Sequence, residues 1–133
     1  MNWRLQNNYF GFLKKLPNLG FHITRFPNLP VFQNITFQLL KASSSSAANY
    51  HAACREKSKA DFINKLKIVE EELDESIFWM KYLVSIDKEW YNEATPLLKE
   101  GNELLSIIVA SINTAKGNQK ALQFQKSSIK TKS

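Results

Sequence analysis

The sequence is poor in the residues that make staples and turns. Its 133 residues include one cysteine, four glycines and four prolines. A lone thiol cannot form an internal disulfide or a Cys-rich zinc site, and it fits a reducing, cytoplasmic setting. So little glycine and proline argues against a turn-dense β-sandwich. No stretch approaches the ~18 consecutive apolar residues of a membrane span, so no membrane partner is expected. No apolar run ahead of a small-residue cleavage site marks a secretory leader. What remains is ordinary globular usage, 44% hydrophobic and 23% charged, in a length that supports one core and not two.

Acid is also missing from both ends. Residues 1–55 carry six basic residues and no acid, for +6; residues 56–112 carry seven lysines and all twelve acids, for −5; residues 113–133 carry five lysines, for +5. This split allows a polyanionic partner on the basic parts, or self-association between unlike patches of neighbouring copies. It also allows charge that serves only solubility.

Hydrophobic spacing predicts helices along most of the chain. Over 29–55, Phe32, Ile35, Leu39, Ala42, Ser46, Asn49 and Ala53 recur at threes and fours, a heptad-like seam. Asn28 is a candidate N-cap, and Pro30 suits the first turn, where its missing N–H costs little. The run Ala42-Ser43-Ser44-Ser45-Ser46-Ala47-Ala48 could be a flexible linker. The seam passing through it favours a helix with a small-residue face. Over 58–86, Phe62, Leu66, Val69, Leu73, Ser76, Met80 and Leu83 repeat in the same way, with Ser58 as cap and Asp61 as its capping-box acid. A last helix is expected over 87–116, capped by Asp87, with a second start at Thr95-Pro96 and a stop at Gly117.

The first thirty residues are harder to read. Gly11, Pro17, Gly20 and Pro27 interrupt them, and a near-repeat pairs Lys15-Leu16-Pro17-Asn18-Leu19-Gly20 with Arg25-Phe26-Pro27-Asn28-Leu29-Pro30. The expected architecture is an all-α, antiparallel up-and-down four-helix bundle with a short or irregular first helix. Residues 1–117 make one domain, with 1–30 irregular or a broken helix, and 118–133 make a Lys-rich flexible tail.

The helix over 58–86 is amphipathic only in its first half. Ile77, Phe78, Trp79, Met80, Tyr82, Leu83, Val84 and Ile86 surround the axis, and a helix apolar on most sides must be buried on most sides. In so small a chain the cover is expected from another subunit, ahead of the alternative that the first helix and the tail supply it, so Ile77, Phe78, Trp79 and Tyr82 are the expected oligomer interface.

Catalytic and metal chemistry is not indicated. Neither histidine sits in a Glu-x-x-His pair, and His51 with Cys54 gives two ligands, too few for zinc. Glu70, Glu71, Glu72, Asp74 and Glu75 lie on the polar side of an amphipathic helix and read as a solvated face. There is no nucleophile elbow and no Gly-rich phosphate loop. No catalytic residue, metal, cofactor or small-molecule substrate is expected. Ser46 and Asn49 are expected helix-to-helix contacts, since a buried amide must find a partner. Lys41, Arg55, Lys57 and Lys59, placed around the link between the second and third helices, are the candidate nucleic-acid contacts.

One long run carries a family resemblance. Gln38-Leu39-Leu40-Lys41-Ala42-Ser43-Ser44-Ser45-Ser46-Ala47-Ala48-Asn49-Tyr50 precedes Ala52-Ala53-Cys54-Arg55 and Ser58-Lys59-Ala60-Asp61-Phe62. Lys65-Leu66, Ile68-Val69-Glu70-Glu71-Glu72, Asp74-Glu75-Ser76, Glu103-Leu104-Leu105 and Ala110-Ser111-Ile112 follow in order. This resembles the bacterial 23S rRNA intervening-sequence family, whose pattern is QLLRS-x-x-S-x-x-AN and then Ser-(Lys/Arg)-x-(Asp/Glu)-Phe. The resemblance covers about residues 31–116. It implies a four-helix bundle assembling as a homopentamer, with a largely unassigned molecular function. Some relatives are read from an insertion in a ribosomal RNA gene, and a related group serves as a basic accessory subunit of reverse transcriptases. RNA or a nucleoprotein is therefore the partner that kinship implies. The family's first helix is unbroken, and this chain's early Gly and Pro depart from that pattern. The resulting expectation is a non-enzymatic homo-oligomeric scaffold with an RNA or nucleoprotein partner. The alternatives are a protein-only interaction module or an accessory subunit of a reverse-transcriptase complex.

Overall fold

Large apolar side chains spaced by four, three and four draw the first segment into a helix despite its glycine and proline. The computed structural model describes residues 3–23 and 30–132, with side chains for 4–16 and 30–128. Helix α1 spans Trp3–Ile23, and Leu5, Tyr9, Phe12 and Leu16 on one face of it are buried. The expected short or irregular first helix is thus corrected: α1 is 21 residues long and continuous. Pro17 removes one backbone hydrogen bond, and a proline inside a helix costs about 3 kcal/mol. Burying Leu5, Phe12 and Leu16 returns about 1.5–3 kcal/mol each, which exceeds that cost. Gly11 has no positive φ and simply continues the helix. Pro27, the Asn28 cap and most of the second near-repeat lie outside the described residues.

Helix α2, Pro30–Ala53, starts on its proline. The serine run is helical throughout. Ser43 Oγ donates to the Leu40 carbonyl and Ser44 Oγ to the Lys41 carbonyl, both at 3.2 Å, so these hydroxyls are satisfied without leaving the helix. Ala42, Ser43 and Ser46 are buried, as a small-residue face requires. Helix α3, Lys59–Ile86, is capped by Ser58, whose Oγ accepts from the Asp61 N–H at 3.1 Å. The short link gives its neighbours antiparallel directions.

Asp87 Oδ1 accepts from the Glu89 N–H at 3.0 Å and opens a single 3₁₀ turn, Lys88–Trp90. Helix α4 then runs unbroken from Tyr91 to Lys132, 42 residues. Thr95-Pro96 marks no second start, and Gly117 no stop. Gly117 does not take the positive φ of a C-terminal cap, and the Gln, Lys and Ala that follow are good helix formers.

Cross-helix contacts fix the register. Gln6 meets His51 while Tyr9 meets Ser46, so α1 and α2 run in opposite directions. Ser46 approaches Val69. Gly101 packs on Ile77, Met80 and Phe12, which joins α4 to both α3 and α1 at mid-height. The described residues thus form an all-α, antiparallel four-helix bundle with its core between the four seams.

Candidate interaction surfaces

Three parts of the bundle carry groups that the core does not consume: its centre, its α2–α3 end and the outer face of α3. At the centre sits a small hydroxyl cluster. Tyr9 and Tyr50 stack with ring centroids 5.3 Å apart, and Ser46 Oγ lies 3.4 Å from Tyr9 Oη and 3.5 Å from the Val69 carbonyl. Burial raises the Tyr9 phenol to about 12, partly offset by the hydrogen bond from Ser46. Burial, then the neighbouring Cys54, also pushes Tyr50 up. Both rings are neutral packing elements at physiological pH. Ser46 thus reaches from α2 to both α1 and α3. Asn49 does not: its Nδ2 donates to the Ser45 carbonyl at 2.9 Å, one turn back on its own helix. A side chain that reaches its own i−4 carbonyl has no need of a partner helix.

The α2–α3 end is basic. Arg55, Lys57 and Lys59 are exposed there, on a turn held by the Arg55 and Glu56 N–H groups donating to the Ala52 and Ala53 carbonyls. Lys59 Nζ lies 6.0 Å from the Phe62 ring. Lys41 does not belong to this cluster. It is exposed halfway along α2, beside Phe37, about 18 Å from the helix end at 1.5 Å per residue. The register brings in two cations that sequence spacing did not reveal, Arg4 at the start of α1 and Lys116 on α4, both exposed. Only the antiparallel pairing of distant segments places them at this end. Glu56 and Asp61 stand among them and reduce the net charge of the patch. His51, nearby, accepts at Nδ1 from Gln6 Nε2 at 2.7 Å. Among the described residues no group of three His, Cys, Asp or Glu converges as a metal site, and no helix is long and apolar enough to cross a membrane.

The outer face of α3 is aromatic. Phe78 is 54% exposed and Tyr82 40%. Their rings stack nearly parallel at 6.0 Å, and half-buried Trp79 meets both edge-on at 5.0 and 6.0 Å. Trp79 Nε1 donates to Glu75 Oε1 at 3.3 Å. Ile77, grouped with them from the sequence, belongs elsewhere. It is 3% exposed and packs on Gly101 of its own chain, because it sits one position round the helix, on the core side. Ile86 is exposed near the same end of α3.

No protein-family model and no curated protein matches the sequence. A solved structure does resemble it, that of a protein with unknown function from the S23 ribosomal protein family of Bacteroides thetaiotaomicron VPI-5482. The two share 23% sequence identity and superpose with a TM-score of 0.72 over 81% of this chain and 97% of that one. At that identity the likeness is one of architecture: the chain has the four-helix fold of an S23 ribosomal protein family member.

Proposed function

We propose that the chain is a non-enzymatic, cytoplasmic scaffold that assembles from identical copies, five by the family resemblance, and binds RNA or a nucleoprotein. The observation that carries this reading is the aromatic outer face of α3. Phe78 and Tyr82 project from a helix whose opposite side is already buried in its own bundle. Exposed aromatic clusters of this kind mark protein contacts. The cations Arg4, Arg55, Lys57, Lys59 and Lys116 at one end of each bundle would repeat around an assembly and sum their field, which favours a polyanion. The ribosomal-protein family name of the structural neighbour points the same way.

Light scattering coupled to gel filtration tests the assembly. The chain is expected as a multiple of 15.3 kDa, and replacing Phe78 and Tyr82 by serine is expected to release monomers. A clean monomer at micromolar concentration refutes the assembly. Salt titration tests the nucleic-acid part. RNA affinity should fall steeply with salt through counterion release, and neutralising Arg55, Lys57 and Lys59 should flatten the log–log slope by about 2, at roughly 0.7 per phosphate contact on a single strand. No binding to any RNA at low salt refutes that part, and partner binding that survives the neutralisation assigns the protein to protein-only contacts.

A further inference from the structure

Helix α2 presents an aromatic ring to solvent. Phe37 is 62% exposed, on the side of α2 away from buried Ile35 and Leu39, and Lys41 Nζ lies 6.0 Å from its ring centroid. Phe37, Lys41, Ser44 and Ala48 follow one another at four, three and four residues, and all are exposed. They form a stripe that is aromatic at one end, cationic beside it and short-sided beyond, where another helix can approach closely. No acid precedes Glu56 in the sequence, so neither α1 nor α2 offers Lys41 a carboxylate.

The outer face of α3 carries the opposite charge in the reverse chain order. Tyr82, Phe78, Glu75 and Glu71 are exposed at the same spacing, with exposed Asp74 beside Glu75. Among the described residues the recorded ion pair is Lys15 with Glu100, which involves neither these acids nor Lys41. The two stripes also stand at one height. Ser46 Oγ lies 3.5 Å from the Val69 carbonyl, and nine residues from that contact along each antiparallel helix lead to Phe37 and to Phe78. By the same count Lys41 is level with Asp74, and Ser44 with Glu71.

We propose that the outer face of α2 of one copy docks on the outer face of α3 of the next, with Phe37 against the stacked Phe78 and Tyr82 rings and Lys41 against Glu75 and Asp74. The charges set the direction. When both copies point the same way, α2 of one runs antiparallel to α3 of its neighbour and Lys41 meets the acids. With one copy inverted, Lys41 would face Tyr82 instead. Copies that point the same way and meet at one height are related by rotation about an axis along the bundle, with no rise. Helices α2 and α3 occupy neighbouring corners of a four-helix bundle, and the outer sides of such corners face about 90° apart. Each copy is therefore turned by about 90° from the last, so this heterologous contact closes into a small ring and does not grow into a filament. The α2–α3 link, with Arg55, Lys57 and Lys59, comes to the same rim in every copy. This assignment rests on the self-association proposed above and adds the second surface and the closure.

Complementation between two variants of the full chain tests it, read by light scattering, with helix content followed by circular dichroism. Phe37→Ser with Lys41→Glu removes the α2 surface, and Phe78→Ser with Tyr82→Ser removes the α3 surface. Each alone should be monomeric and fully helical at a concentration where wild type assembles. Mixed, they retain one intact surface of each kind and should form a dimer of one each, twice the 15.3 kDa chain mass, and nothing larger. Lys41→Glu alone should weaken assembly and adding Glu75→Lys should restore it, a second readout that leaves the aromatics in place. Assembly that persists in the α2-surface variant, or two monomeric variants that stay monomeric when mixed, overturns this docking while leaving self-association intact. A monomeric wild type overturns both. An α2-surface variant that assembles normally but loses RNA retention assigns Phe37 and Lys41 to nucleic acid and also overturns it.

Discussion

Two glycines in identical backbone conformations but different surroundings offer a controlled measurement of α1. Gly11 and Gly101 both lie inside helices, and neither has a positive φ. Alanine at either position therefore gains the same helix propensity, about 1 kcal/mol. At Gly11 a new Cβ would meet nothing within 4 Å, so the whole gain should appear as stability. At Gly101 it would sit 3.3 Å from Ile77 Cγ1 and 3.7 Å from Met80 Cε and Phe12 Cζ. Ile77 is buried and β-branched, hence stiff at χ1, and forcing such a neighbour aside costs about 1–3 kcal/mol. Gly11→Ala should stabilise by about 1 kcal/mol, a rise of about 4 °C in Tm for a domain of this size. Gly101→Ala should range from neutral to about 2 kcal/mol destabilising. Urea unfolding followed by circular dichroism at 222 nm, with equal m-values in all three proteins, makes the comparison clean. If Gly11→Ala fails to stabilise, α1 is not a continuous helix through that position. If Gly101→Ala stabilises as much as Gly11→Ala, the close approach of α4 to Ile77 is not there.

Ser58→Ala should cost about 1 kcal/mol, since it removes the acceptor for the Asp61 N–H at the start of α3, and Ser58→Asp should not; chemical denaturation distinguishes the two. Alkali should destabilise the bundle through its buried phenols. The folded-state pKa of Tyr9 is raised from 10.0 to about 12. Its contribution is therefore complete below pH 10 and is lost as pH rises from 10 towards 12, up to about 3 kcal/mol for a two-unit shift. Tyr50 shifts in the same direction and adds to the effect. Melting temperature measured from pH 8 to 12, alongside tyrosinate absorbance, should fall in that window, and Tyr9→Phe should flatten the fall. A flat profile in wild type would remove the buried-hydroxyl assignment.

The middle of the fold was legible because its signals agree. In α2 and α3 the apolar spacing, Pro30 in the first turn and the Ser58 cap all mark the same boundaries. The serine run reads as helix once its buried positions are seen to continue the seam. The two ends depart from their local signals for one reason. Gly11, Pro17 and Gly117 are local signals, and each is worth at most a few kcal/mol. Tertiary burial of Leu5, Tyr9, Phe12 and Leu16 outweighs the first two, and Gly117 without a positive φ imposes no stop. The surfaces were half legible. The excess of apolar residues in α3 is visible in the sequence, but composition does not say which side of a helix faces its own core, and only the packing separates buried Ile77 from exposed Phe78 and Tyr82. Closeness in the sequence groups Lys41 with Arg55, whereas the twelve residues of helix from Lys41 to Ala53 already span about 18 Å. Arg4 and Lys116 join the basic end only through the pairing of helices far apart in the chain.

Forty-two residues of continuous helix also set the hydrodynamics of the subunit. Helix α4 is about 63 Å long, whereas a compact chain of this length would have a radius of gyration near 14 Å and a diameter of about 36 Å. A single copy is therefore a rod with one protruding end. It diffuses more slowly than a sphere of its 15.3 kDa mass and leaves a sizing column early. Elution volume alone would report too many copies, and the copy number has to be taken from mass.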